Sequence, residues 1–385
     1  MASSLEQRLA ERIHRGGPIP FDAFVDEALY GDGGFFARGK GAGRSGHDFV
    51  TSPEVGSLFG AVVARSLDRF WDELGVPDPY LVVEAGAGSG RLAADVLRAE
   101  PRCASALRYV LVERSAALRA EQRDRLVLEP LEDALGPMNP LGDSAAPATG
   151  VGPIVTSLGE LPAVPVTGVM LVNELLDNLP FRVVERRADG WWEVRVGVVG
   201  DAFVEELIPA ASELATEADH VAPGAVPVGT RLPVPTGARD WLQSCALVLQ
   251  RGVLVVIDYV ASAAELVERG EEGWLRTYRH HERGSSPLVA PGDQDITADV
   301  PLEYLVHAAR SCGLVLRREC SQAEWLRDLG IDDLVAEARA QRDARAHVGD
   351  LDAVKHRSRV TEAGALLDPA GLGAHRVLEF TAGSM

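Results

Sequence analysis

The stretch Tyr80-Leu-Val-Val-Glu84-Ala-Gly86-Ala-Gly88-Ser-Gly90-Arg-Leu-Ala-Ala-Asp95 decides the fold. An apolar run ends in an acid, then in three glycines, then in a helical pattern. Such a strand–turn–helix brings bare backbone close to a ligand, because glycine has no side chain to hold it off. A second apolar run, Arg108-Tyr-Val-Leu-Val-Glu113, follows about twenty residues on and also ends in an acid, where a nucleotide-binding fold grips a ribose.

Further apolar runs at 153–157, 168–173 and 252–258 join 81–84 and 108–113 as strand candidates, with helical patterns at 90–99, 115–125 and 238–250 between them. This alternation predicts an α/β fold, a parallel sheet with helices on both faces. Two late strands are expected at 313–319 and 375–381. Residues 181–209 alternate apolar and polar around Ala188-Asp189-Gly190, which predicts an inserted β-hairpin with a further strand. Upstream, helices are expected over 3–14 and Phe21–Tyr30, then a glycine-rich loop from Gly31 to Asp48. Thr51-Ser52-Pro53-Glu54 supplies a hydroxyl cap, an early proline and an early acid, so one long helix is expected from there. Phe59, Val62, Val63, Leu67, Phe70, Trp71 and Leu74 line its apolar face and Gly75 stops it. Four consecutive blocks follow: a helical cap with its loop over 1–78, a cofactor-binding half over 79–180, a β-rich insertion over 181–235, and the rest of the sheet over 236–385 with an irregular pocket loop at 274–300.

Composition bounds the partners. Lys plus Arg is 38 against 57 Asp plus Glu, a formal charge of −19. Nucleic acid is excluded as a main partner, since phosphate binding needs a basic face. The four cysteines Cys103, Cys245, Cys312 and Cys320 show no Cys-x-x-Cys and no zinc-like spacing. They read as reduced thiols of a cytoplasmic protein, and the N-terminus lacks the apolar stretch of a signal peptide. No run reaches the roughly twenty apolar residues of a membrane span. A homodimer stays open.

Ligands on such sheets bind outside the carboxyl ends of the strands. Those ends carry Glu84 with Gly86, Gly88 and Gly90; Glu113; Thr156, Ser157 and Leu158; Asn173, Glu174 and Asp177; and Asp258 with Tyr259. The spacing G-x-G-x-G, preceded by an acid, suits S-adenosyl-L-methionine better than a dinucleotide, because that cofactor has no phosphate and needs room for a ribose and an amino-acid tail. Nearby carboxylates then meet its ammonium and hydroxyls. If the backbone turns helical after Asn173, Glu174 and Asp177 sit three apart on one face and hold a guanidinium by charge-assisted hydrogen bonds. The segment Leu275-Arg-Thr-Tyr278-Arg-His280-His281, running on to Asp295, Thr297 and Asp299, is rich in hydrogen-bonding groups with little helix or strand character. Adjacent histidines do not easily ligate one ion, so no metal is expected; Tyr278 and His281 are candidates for a pocket wall.

Together these residues resemble the MidA-like family of S-adenosylmethionine-dependent methyltransferases, which includes the mitochondrial arginine methyltransferase that assists complex I assembly. The match runs through Gly17-Pro18-Ile19 with Ala28-Leu29-Tyr30, Asp48-Phe49-Val50-Thr51-Ser52-Pro53-Glu54, Val83-Glu84-Ala85-Gly86-Ala87-Gly88-Ser89-Gly90, Asn173-Glu174-Leu175-Leu176-Asp177-Asn178-Leu179-Pro180, and Leu275-Arg276-Thr277-Tyr278 with Pro291-Gly292 and Asp295-Ile296-Thr297. The last strand, around Gly371 to Leu378, fits as well. The resemblance implies a Rossmann-like, seven-stranded class I methyltransferase sheet with a helical N-terminal cap. It implies that Gly86, Gly88 and Gly90 contact the cofactor, that Glu113 takes the ribose hydroxyls, and that the Thr51–Glu54 segment closes over it; Thr51, Ser52 and Pro53, with Glu84, Ser157, Leu158 and Asn173 from the strand ends, are the further cofactor candidates. His47 stands where the family usually has glycine, and Asp299 where many members have histidine.

The function expected is methyl transfer from S-adenosylmethionine to an arginine of a protein or peptide. Glu174 is the main orienting carboxylate, with Asn173 beside it, Asp177 as its partner, and Tyr278, His281 and Asp295 as the pocket wall. The alternatives are a cofactor-binding assembly factor without catalysis, a methyltransferase for small molecules, and a nicotinamide-dependent oxidoreductase, which the glycine spacing disfavours.

Overall fold

In the computed structural model, residues 4–38, 51–137, 147–222, 224–279, 282–284, 286–344 and 351–383 are described. By compactness the chain forms two units interleaved in sequence. One holds Met1–Phe49, Glu174–Ser244 and Asp258–Leu314; the other holds Val50–Asn173, Cys245–Ile257 and Val315–Met385. This grouping differs from four consecutive blocks: the segment before residue 79 divides at Val50, and its second half belongs with the sheet.

The larger sheet has seven strands: β1 (Tyr80–Ala85), β2 (Leu107–Val112), β3 (Ile154–Leu158), β4 (Val166–Asn173), β5 (Leu249–Asp258), β6 (Val315–Ser321) and β7 (Arg376–Ala382). Their order is β6-β7-β5-β4-β1-β2-β3. The run β5-β4-β1-β2-β3 is parallel, and β6 lies antiparallel to β7. Every residue of β1 and β2 is buried, because helices cover both faces and leave no wet side for polar alternation. The helix Ser57–Glu73 inserts Leu58, Phe59, Val62, Val63, Leu67 and Phe70 into a core shared with Tyr80, Val82, Val255, Ile257 and Trp325. At Gly60 a Cβ would stand 2.4 Å from the Cβ of Asp95, so glycine permits the close approach of helix Arg91–Arg98.

The single helix expected from Thr51 is broken. A short turn, Ser52–Val55, stops at Gly56, and the long helix starts at Ser57. Thr51 makes no side-chain cap. The carboxylate of Glu362 caps instead, accepting the N–H of Leu58 at 2.9 Å. A Cβ on Gly56 would lie 2.2 Å from that carboxyl group and would displace the cap, and the φ of 156° there favours glycine as well.

The other unit begins with helices Leu5–Gly16 and Phe21–Tyr30. Its main sheet runs Ile19–Pro20, Gly190–Val199, Arg182–Arg187, Arg231–Val234, with Ala202–Pro209 also paired to Gly190–Val199. The expected hairpin is present: Arg187 pairs with Gly190 across the two-residue turn Ala188-Asp189. The region 274–300 is not irregular. Leu275–Arg279, Glu282–Arg283 and Asp295–Ala298 form a three-stranded antiparallel sheet in which Tyr278 faces Asp295 and Arg276 faces Thr297. Buried charges and hydroxyls occupy the positions where apolar alternation would have announced these strands. The helices Ser212–Val221 and Leu302–Ser311 here, and Gln322–Asp328, Ile331–Ala344 and Leu351–Leu366 in the sheet unit, carry no assignment from the sequence reading. All four cysteines are free; Cys103 and Cys245 are buried and Cys312 and Cys320 half-buried.

Candidate functional site

In the sheet unit, the glycine turn, the acid after β2 and the end of β3 form one hydrogen-bonded cluster. Gly86, Gly88 and Gly90 have φ of 71°, 52° and 76°, the left-handed region that glycine adopts without strain. The N–H groups of Gly86 and Ala87 both donate to the Val112 carbonyl, which leans the turn on the end of β2. The Glu113 carboxylate then accepts the N–H of Gly88 at 2.9 Å and the N–H of Ser115 at 2.7 Å. Burial raises its pKa, and these two bonds with the nearby Arg119 work against the rise.

Gln122 was not legible in the sequence. It is fully buried on a helix, Ala116–Arg125, whose other residues are exposed or half-buried. Its amide nitrogen donates to the Gly88 carbonyl at 2.8 Å, and its amide oxygen accepts from the Ser157 hydroxyl at 2.5 Å. One side chain thus ties the glycine turn to β3. The Leu158 carbonyl accepts the Glu113 N–H at 3.0 Å. A cavity of about 490 Å³ lies beside these groups, lined by Arg114, Leu158 and Leu161 among others.

Glu84 differs from the expectation of a charged neighbour for the cofactor. It is 5% exposed, and the Tyr109 hydroxyl donates to it at 2.7 Å. Burial raises its pKa to about 8; the Tyr109 bond opposes the rise and the charge of Glu113 adds to it. At neutral pH the group is mostly uncharged. Thr51 and Ser52 are buried, and the Ser52 hydroxyl donates to Gln322 at 3.0 Å. Glu54 pairs with Arg91 at 3.1 Å, which fastens the Thr51–Glu54 segment, Pro53 included, to the helix that follows Gly90. Asn173 ends β4, in register with Ile257.

The chemistry of this set fits an adenosine-type cofactor. The glycine turn, exposed at Gly86 and half-buried at Gly88, needs no side-chain clearance. Each Glu113 oxygen uses one of its two lone-pair directions on an N–H, leaving capacity for hydroxyl donors.

In the other unit, the chain after Asn173 does not turn into an α-helix. Glu174 takes φ 51°, a left-handed value for a non-glycine residue, and only Leu176–Asn178 form a short 3₁₀ turn. Glu174 and Asp177 therefore do not share a helical face. Asp177 is buried and accepts from the Thr297 hydroxyl at 2.5 Å. Asn178 donates to Asp295 at 2.9 Å and to the Ile296 carbonyl at 3.1 Å, while the Tyr30 hydroxyl donates to the Asn178 carbonyl. Asp258 is fully buried; burial, then the charge of Asp177, raises its pKa well above the usual carboxylate range. Burial raises the pKa of Asp177 too, and the Thr297 hydrogen bond and the charge of Arg276 oppose the rise. Asp299 pairs with Arg269 at 2.7 Å and Arg276 at 2.6 Å, and the Arg276 guanidinium lies 4.9 Å from the Tyr259 ring centre. An acid at 299 thus answers two local arginines. Tyr278 is half-buried on its strand. His47 and His281 lie outside the described residues.

A family model described as S-adenosyl-L-methionine-dependent methyltransferase matches residues 62–320. The chain belongs to this methyltransferase family. A relative from Drosophila melanogaster, named protein arginine methyltransferase NDUFAF7 homolog, mitochondrial, is 30% identical over 329 residues, 81% of this chain and 71% of its own length. The Homo sapiens protein arginine methyltransferase NDUFAF7, mitochondrial, is 27% identical over 347 residues, 85% of this chain and 73% of that one. A crystal structure from Burkholderia thailandensis, solved with S-adenosyl-homocysteine bound, shares 30% identity with a TM-score of 0.79, covering 98% of this chain and 92% of that one. The methyltransferase therefore uses S-adenosyl-L-methionine. Its relatives carry mitochondrial names, so the cytoplasmic expectation finds no support in them. Among the described residues no helix is long and apolar enough to cross a membrane.

Proposed function

We propose that this methyltransferase modifies an arginine side chain of a protein or peptide. The observation that carries the cofactor half is the bond from the Gly88 N–H to the Glu113 carboxylate, which fixes an acid beside bare backbone. Gly86, Gly88, Gly90 and Glu113 hold the nucleoside, with Leu158 at the base, Ser157 acting through Gln122, and Thr51, Ser52, Pro53 and Asn173 completing the enclosure. Glu84 contributes as a neutral group. Bound S-adenosylmethionine supplies a methyl group on a sulfonium, open to in-line displacement by a nucleophile.

The acceptor half is supported by the relatives' names and by the carboxylates Glu174, Asp177, Asp295 and Asp258 in the other unit. A guanidinium has a pKa above about 12, so its proton leaves as the methyl group arrives. Glu174 orients the guanidinium and stabilises its charge. Asp177, tied to Thr297, and Asp295, tied to Asn178, hold the surrounding chain, and Tyr278 contributes to the pocket wall. The test is incubation of purified protein with isotopically labelled S-adenosylmethionine and a cell lysate, followed by mass spectrometry. Label on arginine is expected. Glu174→Gln should keep S-adenosyl-homocysteine binding within about threefold and cut labelling to a small residual rate, at least about 100-fold below wild type. Label confined to other residues or to small molecules defeats the arginine assignment, and retained turnover in the variant defeats the role of Glu174.

A further inference from the structure

The left-handed backbone of Glu174 has a specific support. A non-glycine residue at φ 51° is strained and persists only where its surroundings hold it. The two peptide N–H groups that follow it, those of Leu175 and Leu176, converge on one oxygen of Asp258 at 3.1 and 2.8 Å. The other oxygen of Asp258 accepts the Tyr259 N–H at 2.8 Å, which fixes the carboxyl plane. Asp258 is fully buried, so water does not substitute for these contacts. Two successive N–H groups aimed at one oxygen form a concave anchor that sets the direction of the residue before them.

We propose that Asp258 is a positioning residue for methyl transfer: by gathering the N–H groups of Leu175 and Leu176 it locks Glu174 in the left-handed conformation and so aims its carboxylate. The proposal rests on the reading of Glu174 as the orienting carboxylate. Asp258 itself touches neither donor nor acceptor in this role; its work is done through the backbone. What matters is an acceptor oxygen, not a negative charge, so asparagine at this position keeps part of the function and alanine loses it.

The experiment compares Asp258→Ala, Asp258→Asn and Glu174→Gln in full-length protein. The probes are labelled S-adenosylmethionine with an arginine-containing peptide as acceptor, and S-adenosyl-homocysteine in calorimetry. Asp258→Ala should lower kcat at least about 100-fold with cofactor affinity unchanged within about threefold, and Asp258→Asn should recover at least about tenfold of that loss. Adding Asp258→Ala to Glu174→Gln should lower residual turnover by less than about threefold, since both changes disable the same carboxylate. Retained turnover in Asp258→Ala beside a dead Glu174→Gln overturns the positioning role and leaves the role of Glu174 standing. Full turnover in Glu174→Gln removes the premise instead. An asparagine variant as inactive as the alanine one, or multiplicative losses in the double variant, also overturns the proposal. Amide hydrogen exchange on the wild-type protein decides the matter even if a variant fails to fold: the Leu175 and Leu176 amides should exchange as slowly as those of β5, and exchange at loop rates contradicts the lock.

Discussion

Glu84 makes the stability of this methyltransferase depend on pH in a direction opposite to that of most acids. Its folded pKa is about 8, against 4.5 for the free group, chiefly because it is buried in β1. Between these values the unfolded chain has released the proton and the folded chain still holds it. Folding then binds one proton, and stability falls as pH rises by about 1.4 kcal/mol per unit. The contribution is complete below the unfolded pKa and is lost through the folded pKa, a total of about 5 kcal/mol over the whole window. Glu84→Gln mimics the protonated state, keeps an oxygen for the Tyr109 hydroxyl and removes the titration. Urea unfolding of both proteins at several values between about pH 6 and pH 8 isolates the effect, because every other titrating group is common to the two. The wild type should lose about 2 kcal/mol relative to the variant over that range, the slope rounding off near the folded pKa. Parallel profiles would refute a buried, neutral carboxyl group. At neutral pH the variant should also bind S-adenosyl-homocysteine like wild type.

Glu113→Ala removes the acceptor for two backbone N–H groups and, on the function proposed above, for ribose hydroxyls; calorimetry should show S-adenosyl-homocysteine affinity reduced about 10- to 100-fold, in line with charged hydrogen bonds. Gln122→Leu leaves the Gly88 carbonyl and the Ser157 hydroxyl without their buried partner, and urea unfolding should show a loss of about 1–3 kcal/mol. Gly60→Ala forces a Cβ to 2.4 Å from Asp95. Its melting temperature should fall, with overpacking of about 1–3 kcal/mol exceeding the gain in helix propensity of about 1 kcal/mol; a rise would mean that the two helices part freely.

The parts legible in the sequence are those whose causes are local. β1 and β2 are covered on both faces, so they are mostly apolar, broken only by Glu84 and Arg108, and the glycines between strand and helix, read together with Glu113, mark a candidate site. What stayed hidden depends on distant partners. The break at Gly56 answers to Glu362, whose bond to Leu58 spans 304 residues. The left-handed Glu174 answers to Asp258 across 83 residues from Leu175. Gln122 sits on a helix with no apolar stripe, so nothing in its neighbourhood marks it as inward-facing. The small sheet at 275–298 carries half-buried Arg276 and buried Thr277 where valine or isoleucine would have signalled a strand, and the pairing of Arg276 with Asp299 and its stacking over Tyr259 explain why an arginine is tolerated there.

The interleaving of the two units has a consequence for how the chain is made and broken. A ribosome completes every residue of the first unit on reaching Leu314, with β6 and β7 still unsynthesised. Until the segment carrying β7 emerges, the flank of β5 that β7 later covers offers bare peptide groups to any neighbouring strand. A nonsense mutation or a protease nick after Leu314 would therefore yield not an idle fragment but a sticky one, prone to cross-chain pairing and clearance.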